Sequence, residues 1–136
     1  MAVSIEQQRF AEFLERTRAK SSTPGLNIEI IRDIVETHQA ASTEPEGVTY
    51  AEVDVDGVRA LWAIPEGAAP DRALLQFHFG GSVTASMYSD RKAAGHIAKA
   101  AGVRSLVVDF RRLPEHPFPA QLDDAETAYR WLLSQG

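Results

Sequence analysis

At 136 residues, with 44% hydrophobic and 24% charged residues, the chain suits a single soluble globular domain or part of one. A net charge of −5 without a basic stripe argues against a nucleic-acid partner, and the lack of cysteine excludes disulfides, thiolate metal sites and a cysteine nucleophile. Met1 to Gln7 carries neither a basic nor an apolar leader segment and no apolar run reaches spanning length, so a cytoplasmic protein without a membrane span is expected.

Ser4, with Gln7 three residues on, forms a capping-box pair that opens a first helix. Phe10, Phe13, Leu14 and Thr17 recur at helical spacing, and Glu6, Arg9, Glu12 and Arg16 supply the wet face. The breaker cluster from Ser21 to Gly25 ends this helix near Lys20. Asn27 then caps a second helix whose stripe is Ile28, Ile31, Ile34, Val35 and His38. His38 stands alone in that stripe and is expected as a packed or partly exposed histidine rather than a ligand.

Ala40 to Gly47 is a polar linker. Beyond it, Val48 to Val55 alternates apolar and polar residues, Asp56-Gly57 signals a two-residue hairpin, and Val58 to Ile64 returns. Pro65 to Pro70 reads as a loop. The period then changes: Ala73 to Phe77 and Ser105 to Phe110 are near-continuous apolar runs, as expected of strands buried on both faces. Between them a helix is predicted over Asp90–Ala101, with Ala93, Ala94, Ile97, Ala98 and Ala101 inward and Gly102 closing it. The unit should form a right-handed parallel crossover. After the proline-punctuated loop from Arg111 to Gln121, Asp123 and Glu126 are expected to cap a last helix with Ala125, Ala128, Tyr129, Leu132 and Leu133 inward, ending at Gly136.

The stretch Leu74-Leu75-Gln76-Phe77-His78-Phe79-Gly80-Gly81-Ser82 runs from a strand through a histidine into adjacent glycines. A glycine pair lets the backbone turn sharply and leaves outward N–H groups that can hold a phosphate or the developing oxyanion of an ester under attack. Downstream lies Val108-Asp109-Phe110-Arg111-Arg112-Leu113-Pro114-Glu115-His116-Pro117-Phe118-Pro119-Ala120.

These two segments, in this order and with one helix and one strand between them, resemble the hormone-sensitive-lipase branch of the α/β-hydrolase family, the bacterial type IV esterases. His78-Phe79-Gly80-Gly81 stands where that family writes His-Gly-Gly-Gly, and the second segment is close to its Asp-Tyr-Arg-Leu-Ala-Pro-Glu-His-x-x-Pro-Ala. The resemblance implies the N-terminal portion of an α/β-hydrolase fold: cap helices and linker over 1–46, then the first half of the sheet domain over 47–136. It further implies hydrolysis of a carboxylic ester through a serine acyl-enzyme. The N–H groups of Gly80 and Gly81 would be oxyanion-hole donors, with His78, Phe79 and Ser82 supporting the loop and His78 bracing it by hydrogen bonds. Phe79 replaces the family's first glycine and resists positive φ, so a slightly altered loop path and acyl pocket are expected. Ser82 stands where an aromatic residue often follows, and Arg112 and Leu113 replace Leu-Ala. Glu115 and His116 are expected as a loop-fixing pair, with Arg111 and Asp109 as their partners.

No Gly-x-Ser-x-Gly occurs; Gly80-Gly81-Ser82-Val83-Thr84 lacks the closing glycine, so Ser82 is a poor nucleophile candidate. Nucleophile, acid and base are therefore expected outside this chain, which alone should be inactive and truncated before the nucleophile-elbow strand. The substrate of the full-length form would be a small-molecule ester, no cofactor or metal is implied, and an unpaired sheet edge would invite self-association. The alternative is a non-catalytic α/β module that binds an anionic ligand at Gly80-Gly81 or pairs with another chain. A dinucleotide site lacks its Gly-x-Gly-x-x-Gly, and the four histidines lack acidic partners at metal-ligand spacing.

Overall fold

A computed structural model of the chain describes residues 3–135. Met1 and Ala2, and the Gly136 expected to end the last helix, lie outside the described residues. The elements are α1 (Ile5–Ser21), α2 (Ile28–Glu36), a 3₁₀ helix (Thr37–Ala41), β1 (Val48–Val55), β2 (Val58–Pro65), β3 (Ala69–Phe77), α3 (Met87–Ala101), β4 (Val103–Val108) and α4 (Ala120–Ser134).

The hairpin forms where the turn chemistry demands it. Asp56 and Gly57 both take positive φ, 56° and 90°, which matches the right-handed twist of the flanking strands. The Asp54 carboxylate accepts the Gly57 N–H at 2.8 Å and fixes the turn. From there β1 and β2 run antiparallel, β2 pairs antiparallel with β4, and β4 pairs parallel with β3, giving the order β1-β2-β4-β3. Beside β3, β4 is the one neighbour among the described strands.

Each face of this sheet is covered by one helix, which explains the unbroken apolar run of β4. Leu106 and Val108 join Val55, Ala60, Trp62, Phe110 and Ala128 in a core beneath α4. Val107, one residue out of phase, joins Leu61, Ala63, Met87 and Ala94 beneath α3. Full burial of a Val or Leu side chain stabilises by about 1.5–3 kcal/mol, so β4, buried on both sides, anchors the fold.

Several boundaries and faces differ from expectation. β3 begins at Ala69 rather than Ala73, because the Ala69 N–H reaches the Gly102 carbonyl at 2.8 Å before the strand bulges past Pro70. Proline is tolerated at such a bulge on an outer strand, where no ladder donor is required of it. β4 runs Val103–Val108, so Asp109 and Phe110 leave the sheet. α3 starts at Met87, not Asp90, because Ser86 and Ser89 form a capping box. Its buried face is Met87, Asp90, Ala94, Gly95 and Ala98; Ala93, Ala101 and half-exposed Ile97 point away. α4 starts at Pro119-Ala120 without a side-chain cap, which leaves Asp123 inside the first turn. Ala128 is buried with Trp131 and Leu132 partly so, whereas Tyr129 and Leu133 are exposed.

The front of the chain is less embedded. The Ser4–Gln7 capping box and the Asn27 cap both form as expected. Yet neither α1 nor α2 contains a fully buried residue, and His38 falls in the 3₁₀ helix that follows α2.

Candidate active site

β3 ends at Phe77 and delivers His78 into the protein, with its side chain wholly buried. Nδ1 donates to the Phe79 carbonyl at 2.9 Å, and the ring lies on Phe110 with centroids 4.1 Å apart. Burial pushes the His78 pKa below its ordinary value, with the Phe79 carbonyl and Asp109 opposing this more weakly. A neutral ring whose Nδ1 carries the proton is therefore the state that fits the site.

The chain then reverses. Gly80 and Gly81 take φ of 106° and 63°, and Ser82 follows at 63°. Phe79 avoids positive φ, so the left-handed segment starts one residue after it. The Gly80 carbonyl accepts the N–H groups of Val83 and Thr84, both at 3.1 Å, and closes the turn. A Cβ on Gly80 would overlap the Thr84 carbonyl oxygen, whereas one on Gly81 would meet open space. Glycine is thus required at 80 by space and conformation, and at 81 by conformation alone. Among the described residues, neither the Gly80 nor the Gly81 N–H donates to a protein acceptor. The neighbouring N-terminus of α3 offers no such free donors: Met87 N–H goes to Asp109 at 3.2 Å, and Tyr88 and Ser89 N–H go to Ser86 Oγ.

The second sequence segment is the scaffold of this turn. Leu113 N–H donates to the Ser82 carbonyl at 2.8 Å, and the Arg112 guanidinium donates to the Ala85 carbonyl. Arg111 is tied to buried Asp124 of α4 through its backbone N–H at 2.7 Å and its guanidinium at 2.7 and 2.9 Å. Gln121 donates to the Arg111 and His116 carbonyls, and the His116 N–H reaches the Arg112 carbonyl.

The expected partners are rearranged. Glu115 pairs not with Arg111 but with Arg32 of α2, at 2.7 and 2.8 Å, and the Arg32 guanidinium holds its carboxyl down at about 2. Asp109 caps α3 and lies 3.9 Å from His78 Nε2. His38 is packed, as expected: it stacks on Phe79 at 6.0 Å and meets Phe13 edge-on. Ser86 Oγ donates to Glu36 of α2 at 2.9 Å. Arg32, Glu36 and Asp124 carried no sequence signal, since their partners lie 83, 50 and 13 residues away.

The comparisons with known proteins fall on the same fold and segments. A family profile described as alpha/beta hydrolase fold matches residues 74–136, which span the glycine turn and its scaffold. A solved esterase of the bacterial hormone-sensitive lipase family superposes on the whole chain with a TM-score of 0.85 and 37% identity. The chain belongs to the hormone-sensitive-lipase-like branch of the α/β-hydrolase family.

Further relatives of the chain are hydrolases by name. An acetyl-hydrolase of Streptomyces hygroscopicus is 32% identical over 127 residues, covering 80% of this chain and 42% of its own length. The ethyl acetate hydrolase of Pseudomonas putida is 41% identical over 63 residues, 46% of this chain and 20% of its own. The superposed esterase is likewise covered over 45% of its chain, so the chain spans under half the length of these relatives. No helix among the described residues is long and apolar enough to cross a membrane.

Proposed function

We propose that this α/β hydrolase takes part in carboxylic ester hydrolysis through a serine acyl-enzyme, and that the N–H groups of Gly80 and Gly81 stabilise the oxyanion of the tetrahedral intermediate. The carrying observation is that the Gly80 and Gly81 N–H groups have no protein acceptor among the described residues, on a turn closed by the bonds of Val83 N–H, Thr84 N–H and Thr84 Oγ1 to the Gly80 carbonyl. Such donors, fixed before the reaction, cost no reorganisation when negative charge develops on the substrate oxygen. The α3 N-terminus is already capped from within, which disfavours a phosphate seated on the helix. The substrate class this supports is a small carboxylic ester, in keeping with the names of the relatives.

The nucleophile, acid and base belong, on this reading, to residues other than those described. Among the described residues no serine hydroxyl hydrogen-bonds a histidine, and His78 has its Nδ1 committed to a carbonyl inside the protein. Ser86 is likewise committed as a helix cap.

The test uses protein made from the complete coding sequence beside residues 1–136 alone. Turnover of p-nitrophenyl acetate and one fluorophosphonate adduct on the former, with neither on the latter, is expected. A complete gene product that neither turns over the ester nor takes the label sinks the proposal. Labelling of residues 1–136 alone would overturn the placement of the nucleophile.

A further inference from the structure

Arg32 reaches out of α2 with a side chain only 17% exposed and uses all three guanidinium nitrogens. Nε donates to the Val83 carbonyl at 2.8 Å, Nη2 to the Leu113 carbonyl at 2.6 Å, and Nη1 and Nη2 to the two oxygens of Glu115. These contacts close a ring. Leu113 accepts from Arg32 with its carbonyl and donates with its N–H to Ser82, whose next residue is Val83. The Ser82 and Val83 carbonyls are therefore both held, and Val83 N–H in turn donates to the Gly80 carbonyl at 3.1 Å.

We propose that Arg32 is a positioning residue that sets the Gly80–Gly81 turn from the cap, making oxyanion stabilisation depend on the seating of α2. The inference rests on the ester-hydrolase reading above. Two other contacts point the same way: Glu36 accepts from Ser86 Oγ, and His38 stacks on Phe79, so α2 and its 3₁₀ extension hold the loop at 79, 83 and 86. α2 buries no residue completely, so polar contacts carry an unusual share of its attachment. A lysine could not replace the fork, because one ammonium on a flexible stem cannot face two carbonyls and a bidentate carboxylate together. The turn itself contains Ser82 at φ 63° and Ala85 at φ 65°, conformations that persist only when their surroundings enforce them.

The test compares wild type, Arg32→Ala and Arg32→Lys in protein from the complete coding sequence, by steady-state hydrolysis of p-nitrophenyl acetate and by hydrogen exchange of residues 79–86. Misplacing a catalytic group by about 1 Å costs on the order of 10²-fold, so Arg32→Ala is expected to lower kcat by about that factor with KM little changed. Added guanidinium ion should restore part of kcat in Arg32→Ala but none in Arg32→Lys, whose ammonium blocks the site. The loop amides should exchange faster in both variants while β4 does not change. Unchanged kcat, a loss confined to KM, or unchanged loop exchange would each overturn the proposal. If Arg32→Ala fails to fold, Arg32→Lys, which keeps stem and charge, gives the same readouts. A wild type without ester turnover removes the ester-hydrolase reading instead; loop exchange then decides the clamp, faster exchange in the variants supporting it and unchanged exchange ending it.

Discussion

The imidazole of His78 lies flat against the ring of Phe110, 4.1 Å between centroids and 6° from parallel. The two residues belong to different sequence segments, and their stack is where the glycine turn meets its scaffold. His78 Nδ1 meanwhile donates to Phe79, while burial keeps the ring out of solvent and pushes its pKa below the ordinary value.

That burial makes a prediction about acid. The folded-state pKa of His78 lies below the ordinary 6.5, chiefly through desolvation, so the unfolded chain takes up a proton that the folded chain refuses. Stability is unaffected by this group above pH 6.5 and falls as the pH drops below it. In urea unfolding at pH 7.5 and at about pH 5.5, the advantage of wild type over His78→Gln should narrow on acidification, by an amount bounded by roughly 1.4 kcal/mol per pH unit. An advantage that stays constant would mean the ring ionises freely in the fold.

Gly80 and Gly81 should differ sharply. Alanine at 81, at φ 63° and facing open space, carries a left-handed penalty of about 1–2 kcal/mol and keeps its N–H in place. Alanine at 80 overlaps the Thr84 carbonyl and forces the turn open. If the turn supplies the oxyanion donors, Gly80→Ala should cost about 10²–10³-fold in kcat, as the loss of a donor does, and Gly81→Ala much less. Equal losses measured on p-nitrophenyl acetate would show that the overlap at 80 does not set the site.

Asp124 is 3% exposed and accepts from both the backbone and the guanidinium of Arg111. Asp124→Ala strands the Arg111 N–H and should destabilise by about 2 kcal/mol, the range for a hydrogen bond to a charged group. The exposed Glu126–Arg130 pair on the same helix offers the contrast: Glu126→Gln should leave thermal unfolding unchanged. Comparable melting-temperature losses in the two variants would contradict the role given to Asp124.

Glu115 should titrate far below its class. Its hydrogen bond to Arg32 leads in lowering the carboxyl from 4.5 to about 2. What the pair contributes is fully present above pH 4.5 and is lost as pH falls through about 2. The carboxyl carbon resonance of Glu115, followed by NMR, should show that low midpoint and move back toward 4.5 in Arg32→Ala and, because the Glu115 side chain is half exposed, part-way in high salt. A wild-type midpoint near 4.5 would mean the clamp is open in solution.

Local rules made much of the fold legible. The capping box at Ser4, the cap at Asn27, the Asp56-Gly57 turn and the apolar run of β4 each follow from neighbours within a few residues. The family pattern around Gly80 and Arg111 likewise located the turn and its scaffold. Faces were harder to read: in α3, Ile97 looked inward by spacing yet is half exposed, because the sheet beneath settles against Ala94, Gly95 and Ala98. In α4 the exposure of Tyr129 and Leu133 follows from a contact centred on Ala128 and Trp131, which meets Trp62 of β2.

Amino-acid order by itself determined where the chain turns, which strands run apolar, and that two glycines open a loop after His78, because steric and hydrogen-bonding preferences of single residues act over short spans. Only the tertiary structure decided that Arg32 seats the loop, that Glu115 answers α2, that Asp124 holds Arg111 and that Phe110 shelters His78. Those pairings join residues 13 to 83 positions apart, whose approach is fixed by how helices cover the sheet and not by anything either residue prefers locally.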